Sequence, residues 1–204
     1  MALVVIDEQH KFGVEQRKEL VKKGANPDTL VMTATPIPRS LVMAIFGDMD
    51  ISCLTEKPSG RQKVTTYWTA ADNRQAVYGL IREQVASGRQ AFVVCPRIKN
   101  QKAGTVSFSA EEVYSRLKDD VFPELKVTML HGQMSAKEKD GIMKDFVSGK
   151  YDILVATMMI EVGVDVPNVS VMLVEHAEMY GLSQLHQLRG RIGRGKHESY
   201  CVLI

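Results

Sequence analysis

Residues 91–95 read Ala91-Phe-Val-Val-Cys95, an unbroken apolar run closed by Pro96. A strand with one wet face alternates apolar and polar side chains. A run that is apolar at every position fits a strand covered on both faces, as in parallel sheets. Upstream, residues 73–86 carry apolar side chains at helical spacing and stop at Ser87-Gly88, which predicts an amphipathic helix. The same pairing recurs downstream. Ala110 to Lys118 and Ser135 to Val147 read as helices, the second opened by Ser135 and Glu138 at capping-box spacing. Lys126 to Leu130, Tyr151 to Ala156, Val169 to Val174 and Tyr200 to Ile204 read as strands, as does Val64 to Trp68, whose tryptophan is expected to pack. Strands alternating with helices predict an α/β fold: a parallel sheet sandwiched by helices.

Further upstream, Leu3-Val-Val-Ile-Asp7 and Thr29-Leu-Val-Met32 read as two more buried strands. A central strand needs neighbours on both sides, so one at the start of a chain predicts a piece of something longer. Between these strands and residue 63 lies a polar, turn-rich run, Glu56-Lys-Pro-Ser-Gly-Arg61, with the composition of a linker. The expected organisation is a partial domain over 1–54, a linker over 55–62 and a full α/β domain over 63–204.

The chain has 204 residues, 45% hydrophobic and 25% charged, with a formal net charge of +2. A near-neutral balance means that any nucleic-acid site must come from local clustering rather than an overall field. Cys53, Cys95 and Cys201 are widely spaced in apolar contexts, which predicts buried free thiols in a reducing compartment, not disulfides or zinc. No run approaches about 18 apolar residues and no signal peptide is visible, so the sequence predicts a cytoplasmic protein without a membrane span.

The chemistry concentrates in a few stretches. In Gln184-Leu-His-Gln-Leu-Arg-Gly-Arg-Ile-Gly-Arg-Gly195, read as one helix at about 100° per residue, Gln187, Arg191 and Arg194 share a face opposite Leu185, Leu188 and Ile192. Paired guanidinium groups on one face match the oxygens of phosphate. The three glycines suggest that a ligand or another chain approaches this backbone closely. Asp7-Glu8 at a strand end suits Mg²⁺ binding and water activation, though such a pair taken alone more readily caps the following helix. Thr33-Ala-Thr-Pro36 suits a phosphate-sensing relay or an N-cap. Thr157-Met-Met-Ile-Glu-Val-Gly-Val-Asp-Val-Pro167 reads as a ligand loop at a strand end, in which Asp165 can accept from a ribose hydroxyl, or as a well-formed crossover. His131-Gly132 alone reads as a tight turn.

In this order, Asp-Glu-Gln-His, Thr-Ala-Thr-Pro, His-Gly, Glu-x-Gly-x-Asp-x-Pro and Gln-x-x-Gly-Arg-x-x-Arg resemble the superfamily-two helicases. Their motor is a pair of RecA-like domains with ATP in the cleft. Longer stretches, Asp-Glu-Gln-His-Lys-Phe-Gly-Val, Met-Thr-Ala-Thr-Pro-Ile-Pro-Arg and Gly-Leu-Ser-Gln-Leu-His-Gln-Leu-Arg-Gly-Arg, are similar to the RecG family of bacterial DNA helicases, which remodel stalled forks and Holliday junctions. Lys11 and Met158-Met159 depart from the commoner residues. A cousin, the translocase of the transcription-repair coupling factor, usually carries Glu in place of Gln9.

The resemblance implies roles. Asp7 and Glu8 hold Mg²⁺ and activate water; Gln9, His10, Thr33 and Thr35 couple hydrolysis to DNA grip. Gly163 and Asp165 contact the nucleotide; His131, Gly132 and Thr157 lie against DNA. Gln187, Arg191 and Arg194 form the last motif, with both arginines on the phosphates. The implied cofactors are ATP and Mg²⁺, and the implied partner is forked or branched DNA. The sequence has no Gly-x-x-x-x-Gly-Lys-Ser/Thr loop. In the family that loop and a DNA-binding wedge domain lie upstream of the Asp7 motif. The expectation is therefore a fragment: the tail of the first RecA-like domain plus most of the second, inactive alone. The alternative is a non-catalytic module that binds nucleic acid or a partner.

Overall fold

The computed structural model describes residues 3–7, 27–33, 50, 52–54, 62–96, 110–157 and 165–204. The chain divides into two units, Met1–Cys53 and Leu54–Ile204. In the first, β1 (Leu3–Asp7) and β2 (Asp28–Met32) pair in parallel, with Asp7 opposite Met32. The expected burial on both faces is not found. Val4 and Ile6 are buried, but Leu3, Val5, Leu30 and Met32 are exposed, so both strands alternate. An apolar run permits burial on two faces; the neighbouring layers decide whether it happens.

The second unit is a six-stranded, all-parallel sheet in the order β3-β8-β7-β4-β6-β5. Its strands are β3 (Val64–Trp68), β4 (Gln90–Cys95), β5 (Val127–Leu130), β6 (Ile153–Thr157), β7 (Val169–Val174) and β8 (Ser199–Leu203). Its helices are α1 (Arg74–Ala86), α2 (Ala110–Ser115), α3 (Ala136–Val147) and α4 (Leu182–Arg189). β4, β6 and β7 are each buried at nearly every position, as the apolar runs predict. Successive side chains point to opposite faces, so alternate residues feed two separate cores. Phe92, Val94, Leu154, Ala156, Met172 and Val174 pack with Phe146 of α3 and Leu188 of α4. Ala91, Val93, Ile153, Val155, Val171 and Leu173 pack with Ile81 of α1 and Val113 of α2. The helix caps also follow the sequence: Ser135 Oγ accepts from the Glu138 N–H, and Glu138 accepts from the Ser135 N–H.

Three expectations are corrected. Trp68 does not pack: it is 78% exposed, at the end of an edge strand with a neighbour on one side only. The helix beginning at Ala110 does not continue regularly to Lys118. It widens into a π-turn over Arg116–Val121, which brings Leu117 and Phe122 into the core together, five residues apart. Cys95 and Cys201 are buried free thiols, whereas Cys53 is exposed.

Candidate functional site

Candidate residues gather at the two opposite edges of the sheet. At the amino edge, the segment entering β7 carries Asp165, and the segment entering β8 carries Arg191 and Arg194. Arg194 Nη1 lies 3.5 Å from Asp165 Oδ1, and Arg194 Nε donates to the Gly190 carbonyl at 3.2 Å. Both side chains are partly solvated, at 33% and 53% exposure. Arg191 is half-buried, and Gln187 lies on α4.

The single helix expected through this region is not found. α4 ends at Arg189 with Gly190 as its C-cap, so helical spacing no longer places the arginines. The apolar half of that reading survives the break: Leu188 and Ile192 are buried and Leu185 packs against the same core. The glycines do permit close approach, but what approaches is the chain itself. Gly193 has φ +71°, and a Cβ there would stand 2.5 Å from Val64 Cγ2. A Cβ on Gly195 would overlap the Pro167 carbonyl. These contacts seat the arginine segment on β3 and on the Asp165 segment.

Asn168, to which the sequence assigns no role, pins the same place. Its Nδ2 donates to the Gly88 carbonyl at 3.0 Å and to Gln90 Oε1 at 3.3 Å, and its Oδ1 accepts from Arg89 at 3.3 Å. Buried Gln90 in turn donates to the carbonyls of Phe146 and Tyr151. Arg89 also donates to His197 Nδ1 at 2.9 Å. One asparagine thus ties the entries to β4 and β7 together.

The carboxyl edge is built differently. Cys95 pairs with Thr157, and Val94 with Val174, so the last residues of β4 and β6, Cys95 and Thr157, fall in one row with the residues just beyond β7 and β5, Glu175 and His131. Glu175 is 1% exposed. It accepts from Arg74 at the start of α1 at 2.5 Å and from Arg116 after α2 at 3.3 Å, both on Oε1. The Glu175 carboxylate holds the Arg74 guanidinium above its ordinary range. Burial first, and Glu175 second, push the Cys95 thiol up to about 12, so it stays protonated and is a poor nucleophile. Thr157 Oγ1 and Tyr180 Oη are buried without a hydrogen-bond partner. Lys139 Nζ donates to the Gly132 carbonyl at 3.0 Å, closing the turn after His131. The loop from Thr157 to Pro167 therefore does not lie at one strand end: Thr157 is at the carboxyl edge and Asp165 at the amino edge.

In the first unit, Asp7 ends β1 and Thr33 directly follows β2. Glu8, Gln9, His10, Thr35 and Gly163 lie outside the described residues, as do the 55–61 part of the expected linker and the loop over 97–109. Among the described residues, no helix is long and apolar enough to cross a membrane.

The family described as helicase conserved C-terminal domain matches residues 72–196, the span that holds both edges. This chain belongs to that family. Over all 204 residues it is 50% identical to the ATP-dependent DNA helicase RecG of Thermotoga maritima and 46% identical to that of Bacillus subtilis. The chain spans 26% and 30% of the length of those two relatives. A solved structure of RecG bound to a three-way DNA junction matches with a TM-score of 0.72 at 48% identity, over 99% of this chain and 25% of that one. The parallel sheet is thus the RecA-like sheet of a helicase C-terminal domain. These relatives are enzymes by name, and their name makes them ATP-dependent. Within the helicase C-terminal domain, Glu175 and Asn168 were invisible as site residues because their partners are remote in sequence. An acid directly after a strand that is apolar but for Ser170 was the one available signal for Glu175.

Proposed function

We propose that this chain is motor machinery of a RecG-type, ATP-dependent DNA helicase or translocase that remodels branched DNA, including stalled forks and Holliday junctions. In this reading residues 63–204 are the second motor domain, residues 1–54 belong to the first, and 55–62 link them. The observation that carries it is the Asp165–Arg194 pair at the amino edge. A carboxylate that can take ribose hydroxyls and a guanidinium that can take phosphate stand together, in a chain similar to RecG along its whole length. Arg191 and Arg194 stabilise the charge that develops on the transferred phosphoryl group, and Gln187 belongs to the same catalytic motif. Gly163 joins Asp165 on the nucleotide.

Asp7 ends a parallel strand with a hard oxygen donor, which suits Mg²⁺, an ion that takes one or two carboxylates together with substrate phosphates. Glu8 shares the ion and activates water; Gln9, His10, Thr33 and Thr35 couple turnover to DNA. At the carboxyl edge, His131, Gly132 and Thr157 face the DNA backbone. The wedge and the rest of the first motor domain belong to the same polypeptide, which works in the cytoplasm. With no phosphate loop among its 204 residues, the chain alone neither hydrolyses ATP nor unwinds DNA.

The test uses the full-length protein with Arg191→Ala and Arg194→Ala, each alone. DNA-stimulated ATP turnover falls by about 10³ or more in each, the size expected for losing a guanidinium on the transition state. The melting temperature stays close to wild type, because neither side chain is in the core. Near-normal turnover in either variant refutes the assignment of that arginine.

A further inference from the structure

Asp165 and Arg194 stand at ion-pair distance, yet each is suited to a different end of one ligand. Ribose hydroxyls donate to a carboxylate; phosphate oxygens accept from a guanidinium. The attraction between them is small. At 3.5 Å and with both groups partly solvated, such a pair is worth about two- to fivefold in an equilibrium constant. What holds them close is the backbone beneath. The Pro167 carbonyl lies where Gly195 leaves room for it, and Asn168 fixes the other flank to Gly88, Arg89 and Gln90. Opposite charges are thus held near each other by the packed segments that carry them, and a ligand that takes one side chain must draw it from the other.

We propose that Asp165 is a specificity-determining residue: its pairing with Arg194 admits a polyphosphate to the arginine only when a ribose takes up the carboxylate. This rests on the nucleotide reading of the amino edge. A nucleoside triphosphate replaces one weak ion pair with two charge-assisted sets of hydrogen bonds, one at each end. An inorganic triphosphate must take Arg194 away from Asp165 and leave that carboxylate unpaired beside its own negative charge. The clasp therefore selects for nucleotide over bare polyphosphate.

The experiment measures binding of Mg²⁺-ATP and of inorganic tripolyphosphate to the full-length protein, wild type against Asp165→Ala and Asp165→Asn. Asp165→Ala binds tripolyphosphate about fivefold tighter, the upper worth of such a pair, while its affinity for ATP falls: the two ligands move in opposite directions. Asp165→Asn shows the same gain for tripolyphosphate and keeps most of its ATP affinity, because the amide oxygen still accepts from ribose. If wild type binds ATP but tripolyphosphate binds no tighter in either variant, the clasp is overturned and the nucleotide reading stands. Equal weakening of both ligands with a lowered melting temperature assigns Asp165 to structure and also overturns it. Wild type that fails to bind ATP removes the nucleotide reading itself.

Discussion

The two edges of the sheet hold their charges in opposite ways. At the amino edge, Arg194 and Asp165 are partly solvated and loosely paired, and the precision lies in the backbone, through Gly193, Gly195 and Asn168. At the carboxyl edge the charge itself is buried: Glu175 is sealed at the end of β7 and held by guanidinium groups from two elements. A loosely held charge on a rigid frame is free to change partners. A sealed carboxylate with a short 2.5 Å bond is not, because an unpaired charge in a dry site costs more than its attraction returns. The amino edge thus holds its charges in a form that a ligand can displace, and the carboxyl edge holds its charge as a fixed part of the fold.

The largest stability effect falls on the sealed carboxylate. Glu175→Ala leaves Arg74 without its partner beside a dry core and costs about 3 kcal/mol, in the range for breaking a buried pair. Arg116→Ala removes the longer, more exposed contact and costs under about 1 kcal/mol. Chemical denaturation of Leu54–Ile204 or of the full-length protein separates the two. Equal costs would mean that Arg116, not Arg74, is the partner that holds the carboxylate.

A smaller loss is expected at the amino edge, through the backbone alone. Gly193→Ala forces a side chain into a left-handed conformation against Val64 and costs about 2 kcal/mol. Because Gly193 anchors the segment that carries both arginines, ATP affinity in the full-length protein falls with stability. Arg194→Ala, by contrast, leaves stability unchanged. A Gly193→Ala protein of wild-type stability would show that this turn is not the frame.

The sheet was legible because β4, β6 and β7 are apolar at all but one position each (Gln90, Thr157 and Ser170), and such runs fit burial on both faces. The capping box of α3 was legible for a local reason: its partners are three residues apart. The arginine segment was half legible. Leu188 and Ile192 announced the buried side, but Gly190 ended the helix early, and helical geometry could not place Arg191 and Arg194. Glu175 with Arg74, and Asn168 with Gly88, were not legible, because the partners lie 101 and 80 residues apart along the chain, respectively. Trp68 was misread because a strand's own residues do not say whether it lies at the rim of its sheet.

The smallest effect carries a sign that a structural role cannot give. Thr157 Oγ1 is buried at the carboxyl edge with no hydrogen-bond partner, so the fold bears the desolvation of a hydroxyl without its bond. Thr157→Val keeps the shape and removes that cost, and stability rises by about 1 kcal/mol, or roughly 2–4 °C in a protein domain of this size. If the hydroxyl is kept to donate to a DNA phosphate, the same variant in the full-length protein loses DNA stimulation of ATP turnover while its DNA-independent rate holds. Arg194→Ala lowers both rates, since it acts on the nucleotide. A thermal melt and a turnover assay with and without branched DNA decide the matter. A melting temperature that drops in Thr157→Val would show a hydroxyl already satisfied inside the fold, and the carboxyl edge would lose its reason to face DNA at Thr157.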